Sequence, residues 1–154
     1  MAKHSSDENK RAILDQWINT GLHAFLIADP TNSIDAASSM AGAAALEIAE
    51  GAGYTRKVVA LPVSTIRVTT VAPIERIATT IAPEQTWAAT GNIPTFHKVC
   101  YARGATAIRG ATTGSLVSVE HAVHDAQNAP VAVTLISGQS YRHTATLEVG
   151  GTIT

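Results

Sequence analysis

Apolar and polar positions along this chain change period several times, and each change marks an element. Near the N-terminus Ile13, Leu14, Trp17 and Ile18 recur at helical spacing. Ser5 with Glu8 three residues on fits a capping box, Asp7 and Glu8 suit a first turn, and Gly21 is a natural stop. Together they predict an amphipathic helix over residues 6–19. Residues 22–28 form a short, continuous apolar run closed by Asp29-Pro30, the pattern of a buried strand. Turn formers fill residues 31–40, a loop with room for a short edge strand. Residues 41–50 have strong helix propensity, and Gly51-Ala52-Gly53 ends them.

Beyond that point the pattern turns to β. Residues 56–63, 65–71 and 74–81 read as strands, and Pro73 and Pro83 bracket the third, which predicts turns or an edge there and not a continuous central strand. Thr86-Trp87-Ala88 leads through the turn Thr90-Gly91-Asn92 into a meander over residues 93–149. Within it, residues 95–101 alternate polar with apolar, predicting a strand with one buried face. Small residues and turn formers fill 104–114, and Leu116, Val117 and Val119 resume a strand. Residues 130–136 and 141–149 flank the turn Ser137-Gly138-Gln139-Ser140. No βαβ alternation is present. The expectation is a mainly β fold, an antiparallel β-sandwich of about eight short strands with an N-terminal helix and one short helix. Residues 1–21 would form the arm and amphipathic helix, and residues 22–154 the sandwich.

Composition narrows the function. Hydrophobic residues make up 45% of the 154, so the chain can bury a core, and charged residues only 15%, against about 25% in ordinary soluble domains. Ala, Thr, Gly and Ser fill the difference, a balance suited to subunits that give surface to neighbours. A net charge of −1 provides no field to draw in nucleic acid. The polar stretch MAKHSSDENKR does not read as a signal peptide, and the apolar runs fall far short of a membrane span. Neither nucleic acid nor membrane is an expected partner. The single cysteine, Cys100, lies in a strand pattern and is expected to be a buried, inert thiol.

The candidate chemistry is thin. His121-x-x-His124-Asp125 brings two imidazoles and a carboxylate close in sequence, but residues 120–128 read as a polar loop and no spacing points to a third ligand. His97, on a strand face, reads as a satisfied histidine and not a base. Gly51-Ala52-Gly53 lacks the third glycine of a dinucleotide loop, and Gly110-Ala111-Thr112-Thr113-Gly114-Ser115 lacks the lysine of a phosphate loop. No G-x-S-x-G elbow exists, and the carboxylates are scattered. The expectation is a chain that is not an enzyme, with no catalytic residue, cofactor or metal. Contact residues are better candidates. Ile13 and Trp17 lie on the first helix, and Arg103 and Arg109 flank a loop from which their guanidinium groups would reach a neighbouring subunit. The alternative for the two arginines is ordinary solvated charge at strand ends.

The order of elements resembles a family of small tailed-bacteriophage virion proteins. The resemblance rests on Leu22-His23-Ala24-Phe25-Leu26-Ile27-Ala28-Asp29-Pro30-Thr31 after an N-terminal helix, then Gly53-Tyr54-Thr55-Arg56 leading into Lys57-Val58-Val59. It continues through residues 95–104 and 109–116 to the closing stretch 130–141, and so covers most of residues 12–149. The helix-like segment 41–50 and the histidine-containing loop 120–128 depart from the pattern. The resemblance implies a β-sandwich structural component of the virion, assembled in the host cytoplasm, with no catalytic residues. Its implied partners are copies of itself, as a homo-oligomer, and other virion proteins, at the tail or neck. The alternatives are a capsid cement or decoration protein, and a receptor- or glycan-binding sandwich, which 5% aromatic residues supply poorly.

Overall fold

The computed structural model describes residues 3–4, 6–68, 75–123, 125–149 and 152–153. Strand β1 (Lys3–His4) precedes helix α1 (Asp7–Thr20), and β2 (Leu22–Ile27) precedes helix α2 (Met40–Ala45). Then follow β3 (Lys57–Val59), β4 (Thr65–Val68), β5 (Arg76–Ile81), β6 (Gln85–Ala88), β7 (Ile93–Phe96) and β8 (Lys98–Arg103). The chain closes with β9 (Ser115–His121), β10 (Val133–Leu135), β11 (Ser140–His143), β12 (Thr146–Val149) and β13 (Thr152–Ile153). The fold is mainly β, and the strand pairings among the described residues are antiparallel.

Two sheets dominate, one ordered β3-β2-β8-β9 and one ordered β12-β5-β4, with short pairs β11-β6, β10-β7 and β1-β13. They share one core. Leu22, Ala24, Leu26, Val99 and Tyr101 enter it from the first sheet, Ala78 and Leu147 from the second, and Trp87, Phe96 and Tyr141 from the short pairs. Apolar residues of both sheets thus interdigitate in one layer, the sandwich arrangement. Helix α1 adds Leu14, with Trp17 and Ile18 packed against the same cluster. Its cap is Ser6, whose Oγ accepts from the Asn9 amide at 3.2 Å, one residue later than the expected box at Ser5. Gly21, at φ 78°, ends the helix as its sequence predicts.

Several expectations change for physical reasons. Residues 95–101 are not one half-buried strand. His97 breaks them, so that β7 pairs with β10 and β8 with β2. Nor does β8 have an exposed face, because Phe25, Ile27, Cys100 and Ala102 on the far side of this sheet pack against Ile34, Met40 and Ala43. A sheet covered on both faces loses its polar alternation. The helix expected over 41–50 stops at Ala45, because the next residues join the sheet: Ala28 N–H donates to the Leu46 carbonyl, Ile48 N–H to the Leu26 carbonyl, and Glu47 bridges Ile27.

Residues 31–40 hold no strand among those described. Strand β5 is central after all, flanked by β4 and β12, since Pro83 falls beyond its last residue and removes no ladder donor. Pro73 and the end of the strand expected over 65–71 lie outside the described residues. The stretch 141–149 divides at Ala145, whose carbonyl accepts from Ala82, so β11 pairs with β6 and β12 with β5. Divisions of this kind raise the strand count above eight.

Candidate functional site

The chain's densest polar chemistry is buried beneath the loop between β8 and β9. The Glu47 and Arg56 side chains are both fully buried and meet through Nη2 and Oε2 at 2.7 Å, with Nε at 3.0 and 3.2 Å from the two carboxylate oxygens. Tyr54 Oη donates to Glu47 Oε1 at 2.7 Å, and the Gly110 amide donates to Oε2 at 2.7 Å. Arg56 uses its remaining donors on the carbonyls of Thr106 and Ala111, both at 3.1 Å, and its guanidinium lies 4.7 Å above the centre of the Phe25 ring. Burial, and then the Glu47 charge, raise the pKa of Tyr54, so its proton stays on the phenol. A carboxylate this fully satisfied has no lone pair to offer a substrate. Its work is to fasten the loop to the segment that follows β2.

A second buried pair closes the other end of the same sheet. Lys98 Nζ meets Asp29 Oδ2 at 2.7 Å and also donates to the Ile34 carbonyl. Asp29 accepts further from the Ser33 amide at 2.9 Å, the Ser33 hydroxyl at 2.8 Å and the Ile34 amide at 2.9 Å. Burial pushes the Asp29 pKa up, but Lys98 and these donors together outweigh it and hold the carboxyl well below the usual range. The Asp29-Pro30 stop thus becomes the post around which residues 29–34 wind.

A third group joins side chains of β8, β9 and β11. Tyr101 Oη and His143 Nδ1 are 2.6 Å apart, and Tyr141 Oη donates to the Ala122 carbonyl at 2.8 Å. Burial lowers the His143 pKa and raises that of Glu120, so both groups are pushed toward neutrality. His97 Nδ1 accepts from the Asp29 amide at 3.2 Å, which makes it a satisfied histidine. His121 ends β9 with a buried Nδ1 that has no hydrogen-bond partner among the described residues. His124 lies outside those residues, and among them no three His, Cys, Asp or Glu side chains converge as metal ligands. Cys100 is buried, which raises the pKa of its thiol.

The predicted contact residues fall in different settings. Ile13 is 42% exposed on the outer face of α1, while Trp17 leans half-buried onto the core. Arg103 ends β8, half-buried. Arg109 turns back on its own chain, with Nη2 2.6 Å from the Glu47 carbonyl and Nε 3.1 Å from that of Ile48. The structure does not bring these four together. Sequence reasoning missed Glu47, Arg56, Asp29 and Lys98. The available signal was a charge inside an apolar run, as in Leu46-Glu47-Ile48 and Lys98-Val99-Cys100, where a buried charge requires a partner. No protein-family model, curated protein or solved structure matches this chain.

Proposed function

We propose that the chain is a non-enzymatic structural subunit of a tailed-phage virion, acting at the tail or neck by assembly with copies of itself and with other virion proteins. The observation that carries this reading is where the polar and apolar groups lie. The buried ion pairs fasten loops to sheets and face inward, whereas several large apolar side chains stand exposed. Val58 on β3, Val63 before β4 and Ile108 in the β8–β9 loop are 70%, 72% and 70% exposed. Ile81 at the end of β5 and Ile136 after β10 are exposed as well. On a surface with so few charges, these exposed apolar groups are available for burial against neighbours.

The test is antibody labelling of purified particles of the phage that encodes the chain. Label at the tail or neck is the expected result. Label spread over the shell would transfer the assignment to a decoration protein, and its absence from the particle would overturn the reading.

A further inference from the structure

We infer that β9 is the strand through which copies of this chain join, by antiparallel pairing of two β9 strands about a two-fold axis at Val119. The inference rests on the assembly reading above and names its contact. Strand β9 is seven residues long and forms one edge of the four-stranded sheet. A strand edge offers a row of backbone donors and acceptors, and proteins ordinarily protect it with charge, proline or brevity. The other edges of the two large sheets have such protection. Strand β3 is three residues long and begins with Lys57, β4 carries Arg67, and β12 carries Glu148. Strand β9, Ser-Leu-Val-Ser-Val-Glu-His, has no proline, lysine or arginine, and its single carboxylate is half-buried.

Among the described residues the ladder with β8 identifies which β9 groups it leaves unused, up to Val123 beyond the strand, whose carbonyl already accepts from the Val131 amide. The Ala122 amide donates to the His97 carbonyl, and the register continues as Lys98 opposite His121 and Val99 opposite Glu120. In an antiparallel ladder hydrogen-bonded pairs alternate with non-bonded ones, so Glu120 and Ser118 turn their backbone groups toward β8. Val119 and His121 therefore turn theirs outward. A two-fold axis at Val119 pairs Val119 with its own copy, sets Ser118 opposite Glu120 of the other chain, and places His121 opposite Val117 at the two ends of the new ladder. An axis at Glu120 would place two carboxylates face to face, which is unfavourable. An axis at Ser118 would bring the bulge near Val117, where the register shifts between Tyr101 and Ala102, to the middle of the new ladder. With the axis at Val119, two four-stranded sheets become one continuous sheet.

The test compares chains carrying Ser118→Cys, chains carrying Glu120→Cys, and an equal mixture under mild oxidation. Cys100 is fully buried and does not compete. The mixture should give about tenfold more disulfide-linked dimer than either variant alone, because residues 118 and 120 face each other across the axis. Val119→Pro removes an outward donor that the fold does not use, so it should keep the wild-type circular dichroism and lose the assembled mass. If it fails to fold, the cysteine pair decides. A wild-type oligomer without cross-linking in the mixture, or a folded Val119→Pro chain of unchanged mass, overturns the β9 contact and leaves the assembly reading standing. A strictly monomeric wild type overturns the β9 contact together with the self-association on which it rests, and leaves contacts with other virion proteins to the labelling test.

Discussion

Replacing Arg56 by Met tests whether the buried pair under the β8–β9 loop holds the structure together. The substitution keeps most of the side-chain volume but removes three hydrogen bonds to Glu47 and the two to the Thr106 and Ala111 carbonyls. Among the described residues the Glu47 carboxylate then keeps the Tyr54 hydroxyl and the Gly110 amide as donors and loses its ion-pair partner while fully buried. Removing one partner of such a pair costs about 3–5 kcal/mol, a large share of the roughly 5–15 kcal/mol that holds a domain folded. At this size the melting temperature should fall by about 6–20 °C. Urea unfolding of a double-mutant cycle gives the sharper test, because the sign of one effect reverses. Glu47→Gln should destabilise the wild type, where it breaks the ion pair. It should stabilise the Arg56→Met chain, where it removes an uncompensated buried charge. Equal destabilisation in both backgrounds would refute the coupling, and so would an Arg56→Met cost below about 1 kcal/mol.

Three further outcomes follow from the same geometry. Asp29 has a folded pKa below its unfolded value of about 3.9, so its contribution is complete above that value and is lost as pH falls toward the folded pKa. The stability difference between wild type and Asp29→Asn, measured by urea midpoints, should therefore shrink steadily from about pH 5 to pH 2. Gly53 sits at φ +93°, and a Cβ there would lie 2.1 Å from the Ala88 carbonyl oxygen. Gly53→Ala should cost about 2–5 kcal/mol in chemical denaturation, from strain and overlap together. The Cys100 thiol should resist a disulfide reagent in the native chain and react promptly in denaturant, because burial both shields it and disfavours the thiolate.

Local physics made much of the fold legible. The helix ending at Gly21 and the apolar run before Asp29-Pro30 carry their own stop signals, and both appear where periodicity and turn chemistry place them. What stayed hidden depends on partners distant in sequence. The Ala-rich stretch before Gly51 has helix propensity throughout, yet it leaves the helix after Ala45 because the edge of β2 can pair with residues 46–48 and Arg56 awaits Glu47. Propensity is a weak prior against such tertiary gains. The alternation over residues 95–101 also misled, because Lys98 looks like a solvent-facing residue until Asp29, 69 positions away, is seen to neutralise it inside the second cluster. Arg109 was legible as a loop arginine, but its acceptors, the Glu47 and Ile48 carbonyls, become available only once the helix has ended early.

Self-association is the proposed way in which this chain works. Sedimentation equilibrium of the purified full chain across a wide concentration range tests it most directly. The predicted result is a discrete species at an even multiple of the 16.0 kDa chain mass, because two-fold pairing through β9 joins copies in twos. A single 16.0 kDa species at every concentration would contradict it.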